Sequence, residues 1–472
     1  MHLLHQLKNS LAGNAAVPLL SGATASGTFA ENVIAAVRRT ARHPLTEGAV
    51  LLAGSQYIAA AVGLVTSVAS ARLLGPKDFG LVAMVMSYPM LLGSLVAVKS
   101  GSVTTRYIAR FRADRQADLL GGICKLGYAL DFLVSLCAAL LVAATAKWVA
   151  AGFFHTPDMA WLMIVFAASF PIWSLSGTSQ AILSSFERFR SVALLQVLDQ
   201  VIGSVLVIGL LLAGFGVAGA VVGAALGNVL IALIATCLAT FALRREHMPA
   251  WWRGSIKDTH PLRKEITGLF GWNYLVVTGS GLMGQLPLMF LAHFRGPEAA
   301  GFYRLAVSIV TVGSYIETSM GKVVYPGLSA RWSTENRARV RAALTRWTTI
   351  AGLPVCVFVL LSLPLFPILI PLVFGSHYAP MVRGAQIMMA GAALSALFFW
   401  LNSVYYASAN LNVWTLGYAL QTVIVIGLGW FVAGHWGFAG MALLTAVGKA
   451  GFILAMLFVV SQLLTDRKED IS

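Results

Sequence analysis

Charge is what this chain has least of. Only 11% of its 472 residues are Asp, Glu, Lys or Arg, while 58% are hydrophobic; a water-soluble domain carries about 25% charged residues. That is too little polar surface to cover a soluble globule, and the mean hydropathy of +0.79 agrees. A soluble enzyme, a disordered chain and a secreted disulfide scaffold are excluded on this ground. Cysteine is scarce as well. Cys124, Cys137, Cys237 and Cys356 lie in apolar runs without CxxC spacing, and read as small packing residues rather than a disulfide or metal framework. No segment alternates polar and apolar residues over the roughly ten positions that a transmembrane barrel strand needs. No DxD, HExxH or GxxxxGK[ST] motif occurs, since Gly448-Lys449 is followed by Ala450. No cofactor or metal is expected, and no enzyme.

What the chain has is long apolar runs. A bilayer core of about 30 Å takes roughly 20 apolar residues in a helix. Windows of that length give twelve spans, near 49–70, 79–98, 119–146, 159–183, 191–213, 217–242, 268–292, 301–324, 343–373, 383–408, 413–433 and 437–464. The fold class expected is an all-α integral membrane protein. Pro354, Pro364, Pro367 and Pro371 predict a kinked or shortened ninth span. Residues 1–48 have no long apolar core before a cleavage site and read as a mostly disordered cytoplasmic tail.

Lys and Arg concentrate on the cytoplasmic side of membrane proteins. With the amino terminus inside, 24 of them fall in cytoplasmic segments and four (Arg72, Lys77, Lys147 and Arg295) outside. Both termini are therefore expected in the cytoplasm. The net charge of +15 then serves topology and contact with anionic membrane lipid, not nucleic acid.

The chain also repeats itself. ARLLGPKDFG (71–80) matches AHFRGPEAAG (292–301), so that Gly75, Pro76 and Gly80 meet Gly296, Pro297 and Gly301 at an offset of 221. At that same offset Arg110 meets Arg331, Gln200 meets Gln421, Gly216 meets Gly437 and Gly227 meets Gly448. A unit of six spans brings both copies in from the same side. That predicts two six-helix lobes (49–243 and 268–465) related by a parallel pseudo-twofold axis across a central cleft, with a cytoplasmic linker at 244–267 and a tail at 466–472. Gly219, Gly223 and Gly227 form a GxxxGxxxG face suited to close helix packing.

ARLLGPKDFGLVAMVMSY followed by TTRYIAR (104–110), its counterpart FRGPEAAGFYRLAVS with VVYPGLSARW (323–332), and VFGSHYAP (373–380) resemble bacterial Wzx-type oligosaccharide flippases. These belong to the multidrug/oligosaccharidyl-lipid/polysaccharide (MOP) exporter superfamily, and the resemblance covers roughly 49–465. It implies a flippase of the bacterial inner membrane that moves undecaprenyl-pyrophosphate-linked oligosaccharides by alternating access. It also implies a basic cleft lined by spans 1, 2, 7 and 8, a polysaccharide polymerase and a chain-length regulator as partners, and a functional monomer.

The residues speak to the cleft independently. Span 8 carries Arg304, Ser308, Thr311, Tyr315, Ser319 and Lys322 at steps of three and four, a polar stripe that a lipid-facing helix would not hold. Span 7 adds Tyr274, Thr278, Gly281 and Gln285, span 1 adds Gln56, Gly63, Ser67 and Ser70, and span 2 only Ser87 and Ser94. Guanidinium holds pyrophosphate through paired charge-assisted bonds, so Arg304 is the first candidate for substrate binding and Lys322 the second. Either can instead snorkel to headgroups. Lys449 lies near mid-bilayer, where a charge is costly, and its first-lobe counterpart is Asn228. Asp131, Asp199 and Glu317 are candidate ion-coupling acids, or neutralise buried bases such as Lys125 and Lys449. Arg110 and Arg331 are candidates for a cytoplasmic gate, or mark topology alone.

Lipid-II flippases of the superfamily have a cation site on spans 7, 11 and 12. Here those spans offer Asn273, Gln421 and Thr445 but no carboxylate, which speaks against a second-lobe sodium site. A drug/cation antiporter and a lipid-II flippase stand as the alternatives.

Overall fold

The computed structural model describes residues 44–96, 100–113, 117–245, 263–334 and 336–465. The expected amino-terminal tail up to residue 43, the linker from 246 to 262 and the tail from 466 lie outside the described residues. Among the described residues all regular structure is helical. The first half holds α1 (Pro44–Val96), α2 (Ser100–Ala113), α3 (Ala117–Trp148), α4 (Ala160–Ala168), α5 (Phe170–Trp173), α6 (Leu175–Ser185), α7 (Phe189–Leu212) and α8 (Gly216–Arg245). The second holds α9 (Arg263–Thr334), α10 (Arg337–Trp347), α11 (Leu353–Ser362), α12 (Phe366–Phe374), α13 (Val382–Leu397), α14 (Leu401–Ala407) and α15 (Leu411–Leu463). Eight described helical stretches are long and apolar enough to cross a bilayer, nine if the bent pair 376–397 and 401–407 is counted as one.

Three helices are much longer than one crossing. α1, α9 and α15 run for 53, 72 and 53 residues, and each is broken by one glycine: Gly75 (φ 74°, ψ 174°), Gly296 (φ 79°, ψ −175°) and Gly437 (φ 57°, ψ −144°). The loops expected near 71–78 and 293–300 thus shrink to a single residue. Glycine takes a positive φ without steric cost, and Pro76 and Pro297 then preset φ for the first residue of the next helix. Gly216, which opens α8, has φ 53°, close to that of Gly437. Two glycine pairs 221 residues apart therefore share backbone conformation as well as sequence.

The prolines of the ninth span act as expected. α10 passes into a π turn at Thr348–Gly352, then α11, a 3-10 turn at Leu363–Leu365, and α12. Pro354, Pro364 and Pro367 each stand at the first or second position of one of these pieces, where a missing N–H costs nothing.

Lipid tails are as apolar as leucine, so helices in a bilayer associate by close packing rather than by hydrophobic transfer. The glycine face of α8 supplies such packing against α7. A Cβ at Gly223 would lie 2.9 Å from the Cα of Val207, and one at Gly227 would lie 2.9 Å from the Cα of Gly203.

Larger apolar clusters divide the molecule by height. At the end carrying Gly75, Gly296 and Gly375, which we call the turn end, residues of both halves share a core. Met84, Val85 and Tyr88 pack with Leu288, Phe290 and Tyr303, and Ala71 and Phe79 with Phe302, Phe374 and Tyr378. At the opposite end each half has its own core, around Tyr107, Ile182 and Leu243 in the first and Leu328, Trp400 and Tyr405 in the second.

Gly75→Ala forces a side chain into the left-handed region at a cost of about 1–2 kcal/mol, and should lower the thermal midpoint in detergent. Gly54→Ala, at a helical position with nothing within 4 Å of the new Cβ, should hold or slightly raise it.

Candidate functional site

The turn end is closed by contacts that come in pairs 221 residues apart. The arms of α1 and α9 cross at Gly80 and Gly301. A Cβ on Gly80 would overlap the carbonyl of Pro297, and one on Gly301 would lie 2.8 Å from the carbonyl of Pro76 and 3.1 Å from the Cα of Gly80. Arg72 and His293 form the second pair. Arg72 Nε donates to the Val373 carbonyl at 2.7 Å, and its Nη2 to the carbonyl of Leu372. His293 Nδ1 lies 2.7 Å from the carbonyl of Phe153. Each half thus clasps the carbonyl end of a helix in the other, where terminal C=O groups lack partners of their own. The Tyr378 hydroxyl adds a bond to the Ala71 carbonyl at 3.0 Å. His293 is also stacked on Phe153 and Trp430, with ring centroids 4.7 and 5.2 Å apart.

Within the bundle beneath this seal is a cavity of about 320 Å³. Its wall is mostly first-half: Gly63 to Leu74 and Phe79 to Met90 from the two arms of α1, Trp173, Asp199 to Val207 from α7, and Ala220 to Asn228 from α8. Polar groups are frequent on it. The Thr66 hydroxyl donates to Ser204 at 2.5 Å, Ser204 to the Gln200 carbonyl at 2.6 Å, and Ser67 to the Gly63 carbonyl at 3.0 Å. The second half contributes Gln285 and Arg304 from α9. The Arg304 guanidinium is half-buried and makes no hydrogen bond or ion pair among the described residues. Asp199 faces the same space, also without such a partner. Among the described residues the cavity therefore offers one cation and one carboxylate on opposite halves, in an apolar lining interspersed with hydroxyls and amides.

Seven of the residues singled out from sequence for the cleft or for ion coupling, Gly63, Ser67, Ser70, Ser87, Asp199, Gln285 and Arg304, meet there. The others lie elsewhere. Gln56 is half-buried off the cavity, and Lys322 is exposed. Thr311 is exposed and spends its hydroxyl proton on the Val307 carbonyl at 2.8 Å. Tyr315 accepts, on its backbone carbonyl, the Tyr57 hydroxyl at 3.1 Å, which ties the halves beyond the cavity. Lys449 and Glu317 form an ion pair at 4.0 Å within the second half. Asp131 is buried and takes the Thr178 hydroxyl at 2.6 Å. Arg110 is exposed on α2, and the Arg331 guanidinium lies 6.0 Å from the Trp347 ring. Gln421 is buried, Thr445 is bonded to its own helix at Met441 and Ala442, and the side chain of Asn273 lies outside the described residues.

Apart from Asp199, sequence reading missed the α7 and α8 walls, Gln200, Ser204 and Asn228 among them, and the clasps of Arg72 and His293. The clasps carried a signal, because positions 72 and 293 are themselves 221 apart. Their different residue types hid it.

A helical membrane bundle whose halves share a seal at one end, above a cavity of mixed polar and apolar lining with one cation among the described residues, has the build of a transport protein. Comparison with known proteins agrees. The polysaccharide biosynthesis protein family matches residues 45–332, and the chain belongs to that family. An uncharacterized membrane protein of Methanocaldococcus jannaschii is 22% identical over 376 residues, 75% of this chain and 71% of its own. Among solved structures, an inward-facing multidrug resistance MATE family transporter of the MOP superfamily superimposes with a TM-score of 0.71 at 15% identity, covering 87% of this chain and 96% of its own. The lipid II flippase MurJ in an inward closed conformation gives 0.70 at 14%, covering 87% of each. A MOP superfamily transporter from Pyrococcus furiosus gives 0.61 at 15%, covering 89% and 95%. The fold is that of the MOP superfamily.

The Lys449–Glu317 pair is about one-third exposed on each side, so its coupling should fall at the low end of roughly 0.5–3 kcal/mol. A thermal-melt cycle of Lys449→Met, Glu317→Gln and the double variant measures it. The double variant should be more stable than the sum of the single losses.

Proposed function

We propose that the protein is a flippase for polyprenyl-pyrophosphate-linked oligosaccharides in polysaccharide biosynthesis, working by alternating access in the bacterial inner membrane. The observation that carries this reading is Arg304, an unpaired guanidinium facing a cavity lined by hydroxyls and amides. Charge inside a membrane is expensive and rarely idle, and a guanidinium matches pyrophosphate through bidentate, charge-assisted bonds. Hydroxyls and amides such as Thr66, Ser204, Gln200 and Asn228 suit sugar hydroxyls. The polyprenyl chain would stay in lipid. Membership of the polysaccharide biosynthesis family supports the substrate class, and the MOP fold supports the mode of movement.

On this reading the chain makes twelve crossings, with α1, α9 and α15 counted as two each at their glycines and the bent pair as one. The halves rock about the cavity. The seal at Gly80 and Gly301 with the clasps of Arg72 and His293 is the gate on the turn side, and both termini lie on the cytoplasmic side, as the distribution of Lys and Arg predicts. Asp199 is placed to carry a coupling proton or cation, because it faces the same water as Arg304 without a fixed partner. Lys449 and Glu317, already paired, serve the second lobe's own integrity first. A polymerase and a chain-length regulator would receive the product from a functional monomer.

Complementation with lipid-intermediate analysis tests the proposal. A deletion strain should accumulate lipid-linked oligosaccharide on the cytoplasmic leaflet, and the wild-type gene should clear it. Losing a charge-assisted contact of about 1.5–3 kcal/mol should slow clearance by Arg304→Ala roughly ten- to a hundredfold at normal protein level, with partial rescue by Arg304→Lys. Unchanged surface polysaccharide with new sensitivity to cationic drugs would transfer the protein to the antiporter class.

A further inference from the structure

A second cavity, of about 390 Å³, lies in the second lobe away from the turn end and from Arg304. It opens between the second half of α10 with the π turn that follows it, the end of α13 and the last turns of α15. Its lining has three chemically distinct parts. The floor is apolar, formed by Leu344, Phe398, Leu457, Val460 and Leu464. One cation stands at it, Arg341, which is exposed and has no ion-pair partner among the described residues, and none of the described lining residues is acidic. The third part is four exposed hydroxyls, Thr345, Thr349, Ser461 and Thr465.

Those hydroxyls are already committed as donors. Thr345 gives its proton to the Arg341 carbonyl at 3.1 Å and Thr349 to the Arg346 carbonyl at 3.0 Å. Ser461 and Thr465 give theirs to Phe458 and Ser461, both at 2.6 Å. A hydroxyl that has spent its proton still offers acceptor lone pairs. The groove is thus one positive charge beside a rim of acceptors, above an apolar floor. Trp400 closes one side and is fixed there, its Nε1 donating to Thr348 Oγ1 at 2.7 Å. The adjacent outward faces of α15, at Leu454 and Phe458, are 61% and 64% exposed, as lipid-facing side chains are.

We propose that this groove binds one anionic phospholipid with a hydroxyl-bearing headgroup. The single phosphate sits at Arg341, the headgroup hydroxyls donate to the threonine and serine oxygens, and an acyl chain covers Phe398 and Leu457. One unpaired guanidinium matches one phosphodiester charge, and basic pockets between helices at the cytoplasmic face are where such headgroups bind. A choline headgroup brings no donor for the rim and cancels the charge. Free phosphate has nothing to cover the floor.

Native mass spectrometry of the full chain, released from detergent doped with defined lipid, tests this. Phosphatidylglycerol should be retained at one copy per protein, about tenfold better than phosphatidylcholine and better than phosphatidic acid. Arg341→Ala should abolish that preference, and Arg341→Lys should keep part of it. Arg339→Ala, which removes a neighbouring exposed arginine outside the lining, should leave it unchanged. Equal retention of phosphatidylcholine, equal losses in Arg341→Ala and Arg339→Ala, or displacement by millimolar inorganic phosphate would each overturn the proposal.

Discussion

The structure depends on two backbones approaching at one point. At Gly80 and Gly301 the arms of α1 and α9 come so close that neither position can hold even a methyl group without moving the proline carbonyl of the other half. This contact needs a chain that reverses within one residue on each side, which Gly75 and Gly296 permit, and a helix that restarts at once, which Pro76 and Pro297 permit. In lipid, association rests on close packing and interhelical hydrogen bonds. A seam of bare backbone is therefore strong while closed and would lose most of its contacts if parted, as the proposed alternating access requires of a gate.

The clasps extend the same logic with polar chemistry. Arg72 and His293 each satisfy carbonyls at a helix end in the opposite half, groups that would otherwise want water. Opening the turn end would expose those carbonyls to water, so breaking the clasps exchanges protein partners for solvent rather than leaving polar atoms orphaned in hydrocarbon. Beneath them Arg304 and Asp199 face one cavity together with hydroxyl and amide groups, the kind of surrounding in which a charge within a membrane protein is tolerated.

Much of this was legible in the sequence. The low charge content defines a membrane protein, apolar windows locate the helices, and the proline cluster at 354–371 marks the broken span. The 221-residue offset identifies the glycine-proline turns before any coordinates, and the structure adds that the two copies touch each other. Arg304 was legible as a charge in the wrong solvent. Ser67, Ser70 and Ser87 of α1 were legible as cleft residues, but most of the α7 and α8 wall was not, because Ser204, Gln200 and Asn228 sit singly within apolar helices and look like ordinary tolerated polar residues until α7 and α8 are packed on α1. The Lys449–Glu317 pair was legible only as one alternative among several, a buried acid neutralising a buried base. Its members are far apart in sequence, and periodicity reports which face a residue occupies, not which helix that face meets.

The central claim is that the turn-end seam parts and re-forms in each transport cycle. Cysteines introduced at Arg72 and Val373, in a background with Cys124, Cys137, Cys237 and Cys356 replaced, can be bridged by a reducible cross-linker in vesicles loaded with lipid-linked oligosaccharide. Cross-linking should stop appearance of the oligosaccharide on the opposite leaflet, and reduction should restore it. Undiminished transport through the cross-linked protein would contradict the account.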